Sequence, residues 1–136
     1  MNKGNILALN ASVELTQMLT EVLQDEGYNA SYAYILELKN STLTVSEVLK
    51  THQPELIIYD IALPYEENWK FFNTLQKITI IKDIKVILTT TDKVVLDALV
   101  GPTKTLEIVG KPFDLNILLR KVKRQLKEAK SPTPTL

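Results

Sequence analysis

Residues 56–63 read LIIYDIAL, with Pro54-Glu55 ahead of them and Pro64 directly behind. The run is apolar enough for the inside of a protein, yet it carries a carboxylate, Asp60, near its end. Ionised Asp is almost never left buried without a partner. Asp60 therefore either sits at the open end of a strand or is compensated by a cation from elsewhere in the chain.

Working outward, similar short apolar runs recur at Ile6–Leu9, Asn29–Tyr34, Val86–Thr89 and Leu106–Val109. Most are nearly continuous rather than alternating, as strands buried on both faces of a parallel sheet read. Helical spacing fills the gaps. Leu15, Met18, Leu19, Val22 and Leu23 repeat at three and four and stop at Gly27. Shorter stripes run through Val45, Val48 and Leu49 and through Trp69, Phe72 and Leu75. Val94 to Val100 ends at Gly101-Pro102, and from Asp114 a last helix puts Leu115, Leu118, Leu119, Val122 and Leu126 on one face. Strand and helix alternating five times predict a doubly wound α/β sheet with helices on both faces. Functional groups in such sheets gather beyond the carboxyl ends of the strands, where the end of the third strand places Asp60.

Composition narrows the chemistry. A chain of 136 residues with 45% hydrophobic and 24% charged residues suits one globular domain. The expected boundaries are residues 1–130 for the domain and 131–136 (SPTPTL) for a disordered tail or the start of a linker. There is no cysteine and only one histidine, His52, which excludes thiol chemistry and Cys- or His-rich metal sites. No apolar run is long enough to span a membrane, and the first residues are too briefly apolar for a secretory signal, so a soluble cytoplasmic domain is expected. Only Gly4, Gly27, Gly101 and Gly110 occur, so no strand opens into a Gly-rich phosphate loop. Ser12, Thr89, Thr90 and Thr91 lack a nearby histidine base, which argues against a hydrolase triad.

Residues 1–68 carry 3 Lys and 10 Asp+Glu, for −7, whereas residues 69–136 carry 13 Lys+Arg and 6 Asp+Glu, for +7. The basic excess peaks in the last helix at Arg120, Lys121, Lys123, Arg124, Lys127 and Lys130. Cations near a helix C-terminus complement its dipole and solvate its outer face, and no recognition motif accompanies them, so nucleic-acid binding is not expected.

PELIIYDIALP around Asp60, KVILTTT on the fourth strand and GKPFD after the fifth resemble a response-regulator receiver domain, over about Asn5 to Lys127. The resemblance implies a flavodoxin-like five-stranded parallel sheet of order 2-1-3-4-5 and a signalling domain rather than an enzyme. It further implies that Asp60 accepts a phosphoryl group from a histidine kinase, that Thr90 bonds that group, and that Lys111 pairs with both.

Several positions depart from the family. Its first strand ends in two acidic residues that hold magnesium, where this chain has Asn10 and Ala11. The remaining vestige of the metal site is Asn10, Asp60 and the backbone carbonyl of Ala62. Magnesium is usually bound through one or two carboxylates, so a weak site or none is expected and no other cofactor. With Asp60 and Lys111 cancelling, Lys111 can act as the resting counter-ion. Ile108 replaces the aromatic ring that swings when the hydroxyl moves, so the switch is altered or absent. Asn68 stands where a glycine is usual, a change tolerated if the position is left-handed. Asp92 is expected to cap the helix after the fourth strand rather than to enter the pocket. The segment YILELKNSTLTVSE, residues 34–47, is about five residues longer than usual and reads as an extended surface loop.

Together these departures suggest a degenerate pseudo-receiver that works by protein–protein contact, with phosphorylation impaired or dispensable. Its partners would be a histidine kinase or another signalling protein. A homodimer would form through the face made by helix 4, strand 5 and helix 5, counting one helix per strand. Val94, Val95 and Leu99 are the candidate interface residues, because apolar side chains cover more of that helix than one buried stripe needs. The alternatives are an ordinary aspartyl phosphoacceptor and a flavodoxin-like ligand-binding domain.

Overall fold

The structure is a computed structural model that describes residues 3–10, 12–40, 44–77, 84–101, 107–110 and 115–130. Five strands, β1 (Asn5–Asn10), β2 (Asn29–Tyr34), β3 (Leu56–Ile61), β4 (Lys85–Thr90) and β5 (Glu107–Gly110), form one sheet of order β2-β1-β3-β4-β5. Every neighbouring pair is parallel. The expected fold class and strand order are both present.

Six helices are described: α1 (Val13–Asp25), α2 (Ile35–Lys39), α3 (Val45–His52), α4 (Tyr65–Gln76), α5 (Lys93–Val100) and α6 (Leu115–Lys130). Alternation along the buried strands sorts them into two layers. Ile6, Ala8, Leu56, Ile58 and Ile87 pack with Leu19 and Leu23 of α1 and Leu118, Val122 and Leu126 of α6. Leu7, Leu9, Ile57, Tyr59, Ile61 and Leu88 pack on the other face against α2 to α5. All six residues of β3 are buried, so this central strand has no polar face and needs helices on both sides. None of the helices among the described residues is long and apolar enough to cross a membrane.

Local signals set the helix ends. Ser12 Oγ accepts from Leu15 N at 3.2 Å and starts α1, while Gly27, at φ 99°, turns the chain after it. Thr44 and Glu47 make a reciprocal cap on α3: Thr44 Oγ1 accepts from Glu47 N at 3.2 Å and donates to Glu47 Oε1 at 2.9 Å. Asp92 Oδ1 accepts from Val95 N at 3.1 Å, so Asp92 caps α5 as its residue type suggests.

Two expectations are corrected. The segment after β2 is not an extended loop: Tyr34 ends the strand, Ile35–Lys39 is helical, and residues 45–47 already belong to α3. The reason is the spacing of Ile35 and Leu38, which places both on one side of a helical turn and buries them in the core. Nor is Asn68 left-handed, because it lies in the first turn of α4, where its N–H donates to Pro64 O at 3.1 Å.

Candidate functional site

Asp60 and Asn10, two of the groups that the sequence singled out, lie side by side at the strand ends. Asp60 lies one residue short of the end of β3 and is 4% exposed. By alternation its side chain belongs to the face of Leu56 and Ile58, beneath α1 and α6. The β1–β3 register pairs Leu9 with Tyr59, so Asn10 is next in line beside Asp60 and is also buried. Asn10 Oδ1 accepts from Ser12 N at 3.0 Å, which ties this amide to the start of α1.

The hydroxyl on Asp60 is Thr89. Its Oγ1 donates to Asp60 Oδ1 at 2.7 Å, and both residues are buried. The β3–β4 register explains the contact, since Asp60 pairs with Thr89 and Ile61 with Thr90. Thr90, the expected phosphoryl contact, is fully buried one residue on, with the opposite alternation, and its Oγ1 accepts from Asp92 N at 3.3 Å. Thr91 is exposed and shares a 2.6 Å hydrogen bond with the Tyr65 hydroxyl, linking the turns after β3 and β4.

The turn after Asp60 contains the cis peptide Leu63–Pro64. Its Ala62 carbonyl, expected to remain available, accepts from Asn68 Nδ2 at 2.8 Å. Asn68 Oδ1 in turn accepts from Lys39 Nζ, at the end of α2. Lys39 Nζ also sits 5.4 Å from the centroid of the Phe71 ring. Lys39, Asn68, Ala62 and Asp60 line one cavity of about 170 Å³, with the exposed side chains of Leu36 and Leu63 also in its wall. A larger cavity of about 400 Å³ involves Lys3, Tyr28 and α6 at the opposite end of the strands, well away from these groups. Behind Asp60, burial and the Asp60 charge push the Tyr59 hydroxyl far above its ordinary pKa of 10.0.

Ile108 pairs with Leu88 and packs, partly buried, against the core on the α5 side. On α5 itself Val94 is 80% exposed and Val95 is also exposed, whereas Leu99 packs against the core beside buried Leu96 and Val100. Val94 and Val95 therefore present an apolar surface, and Leu99 mostly does not. Ala11, Lys111 and the rest of residues 111–114 of the GKPFD motif, and residues 131–136 lie outside the described residues.

Sequence reasoning missed Thr89, Asn68 and Lys39 as neighbours of the site. Register held the signal for Thr89, because in a run of three threonines only pairing with β3 tells which one meets Asp60. Asn68 and Lys39 had no local signal. They are 29 residues apart and meet only because α2 buries Ile35 and Leu38 against the face that α4 covers.

No protein-family model matches the sequence, and no curated protein matches it. Solved structures do. The signal receiver domain of a signal transduction histidine kinase from Syntrophus aciditrophicus is 24% identical, with a TM-score of 0.70 over 98% of this chain and 97% of its own. The chemotaxis response regulator CheY4 of Vibrio cholerae is 22% identical, with a TM-score of 0.66 over 90% and 98%. A transiently phosphorylated "switch" in bacterial signal transduction is 20% identical, with a TM-score of 0.71 over 96% and 100%. Likeness at these identities is likeness of fold, and the chain has the fold of the signal receiver domains.

Proposed function

We propose that this chain is a receiver-type signalling domain that acts mainly through protein–protein contact, with phosphorylation at Asp60 impaired or dispensable. The donor set around Asp60 carries the reading. Next to that carboxylate stands the neutral amide of Asn10, already accepting from Ser12, and the Ala62 carbonyl already accepts from Asn68. A divalent ion such as magnesium wants several oxygens, one or two of them carboxylates. Among the described residues no group of three or more His, Cys, Asp or Glu could supply such a shell. These residues do not fit magnesium.

Without a cation bridging donor and acceptor, phosphoryl transfer to Asp60 is slow, because nothing divalent offsets the developing charge. Lys111 serves as the counter-ion of Asp60 in this reading, and Thr89 holds the carboxylate in place. Ile108 has no ring to swing, so output relies on a standing surface rather than on an aromatic switch. The exposed Val94 and Val95 support α5 as that surface, alone or with β5 and α6 in a homodimer. The printed roles of the similar structures, a histidine kinase's receiver domain and a chemotaxis regulator, support signalling proteins as the partner class.

The test is a magnesium titration with and without beryllofluoride, followed by Trp69 fluorescence. Trp69 is buried, stacks on Phe72 at 5.7 Å between ring centroids, and directly follows Asn68, so it reports on this turn. The expected outcome is no saturable response into the tens of millimolar. Saturable, mutually dependent binding that disappears in Asp60→Asn would instead establish an ordinary phosphoacceptor.

A further inference from the structure

Two departures from the usual receiver pattern, far apart in sequence, meet in the Asp60 cavity: the long segment after β2 and Asn68 in α4. The long segment folds as α2 and delivers its last residue, Lys39, to Asn68 Oδ1. Asn68 passes the contact on, its Nδ2 donating to the Ala62 carbonyl at 2.8 Å. Only one orientation of the amide serves both neighbours, since an ammonium can only donate and a carbonyl can only accept.

Resting on the proposed function above, we propose that this relay is the pocket's own cation: Lys39, acting through Asn68, holds the position at the Ala62 carbonyl that a divalent ion would take. Two effects exclude the metal. The carbonyl already accepts a hydrogen bond that competes with a metal for its oxygen. A positive charge also lines the same cavity as Asp60, and a second cation there meets like-charge repulsion. Lys39 is held from two sides, by the Asn68 oxygen and the Phe71 ring, so it is not a freely waving surface lysine. The inserted residues thus supply the charge that replaces the metal.

The test restores one carboxylate and then removes the relay. Asn10→Asp keeps the acceptor for Ser12 N and places an acidic oxygen beside Asp60. Manganese binding to this variant is compared with binding to Asn10→Asp/Lys39→Met/Asn68→Gly, counting free ion by electron paramagnetic resonance. Removing one positive charge and freeing one carbonyl is expected to tighten binding at least about tenfold. Equal affinity in the two proteins, including no binding by either, overturns the proposal. Should a buried carboxylate at position 10 prevent folding, the native chain still decides. Its Asn68 side-chain amide protons should be protected from exchange and lose that protection in Lys39→Met. Exchange at the rate of a free side chain in the native protein also overturns the relay. Beryllofluoride appears in neither experiment, so these results stand apart from the fluorescence test of the proposed function.

Discussion

Replacing Thr89 by Val removes the hydroxyl that donates to Asp60 Oδ1 at 2.7 Å while keeping the branched shape. Both residues are buried, at 2% and 4% exposure, so water cannot readily take over the lost bond. A hydrogen bond to a charged group contributes about 1.5–3 kcal/mol, and that is the expected loss. For a chain of this size it lowers the melting midpoint by roughly 6–10 °C. Thr90→Val is the control. It removes only a 3.3 Å contact from Asp92 N and should cost less than about 1 kcal/mol. The assay is urea unfolding followed by Trp69 fluorescence, repeated in an Asp60→Asn background. There the acceptor survives without its charge, so the cost of Thr89→Val should fall to about 1 kcal/mol. A Thr90→Val cost equal to or above that of Thr89→Val, or no reduction in the Asn background, would refute the assignment of Thr89 to Asp60.

Other perturbations follow from the same structure. Asp92→Ala removes the cap on α5 and should cost about 1 kcal/mol in urea melts, with little change elsewhere. Leu96→Ala opens a cavity at a fully buried position and should cost about 2–5 kcal/mol. Tyr59 has a folded pKa raised above its unfolded value of 10.0, so its contribution is fully present below pH 10 and is lost as pH rises further. Between pH 10 and 11 the native protein should lose about 1 kcal/mol more than Tyr59→Phe, read from urea midpoints at each pH. Val94→Asp, at an exposed position, should leave stability within about 0.5 kcal/mol and abolish any self-association seen by sedimentation; unchanged association would remove α5 from the interface.

Much of the architecture was legible from pattern alone. The continuous apolar runs foretold buried parallel strands because no residue of β3 has solvent to face, and Gly27 and Gly101 marked helix ends where the backbone turns to positive φ. Asp60 was legible as a candidate site residue because a carboxylate inside LIIYDIAL contradicts its surroundings. The segment after β2 misled because its extra length suggested a loop. Ile35 and Leu38 are too few to register as a periodic stripe, yet their burial is enough to hold five residues in a helix.

The sequence by itself determined the alternation of strands and helices, the two-faced core and the presence of an isolated carboxylate near the end of the third strand. These depend on local spacing and on the cost of burying charge, which a linear text records. Tertiary structure alone decided which threonine touches Asp60, since a shift of one residue in the β3–β4 register would have presented Thr90 instead. It also decided that Lys39 and Asn68 reach the Ala62 carbonyl, because that meeting depends on where α2 and α4 dock on the sheet, a property of packing between distant segments.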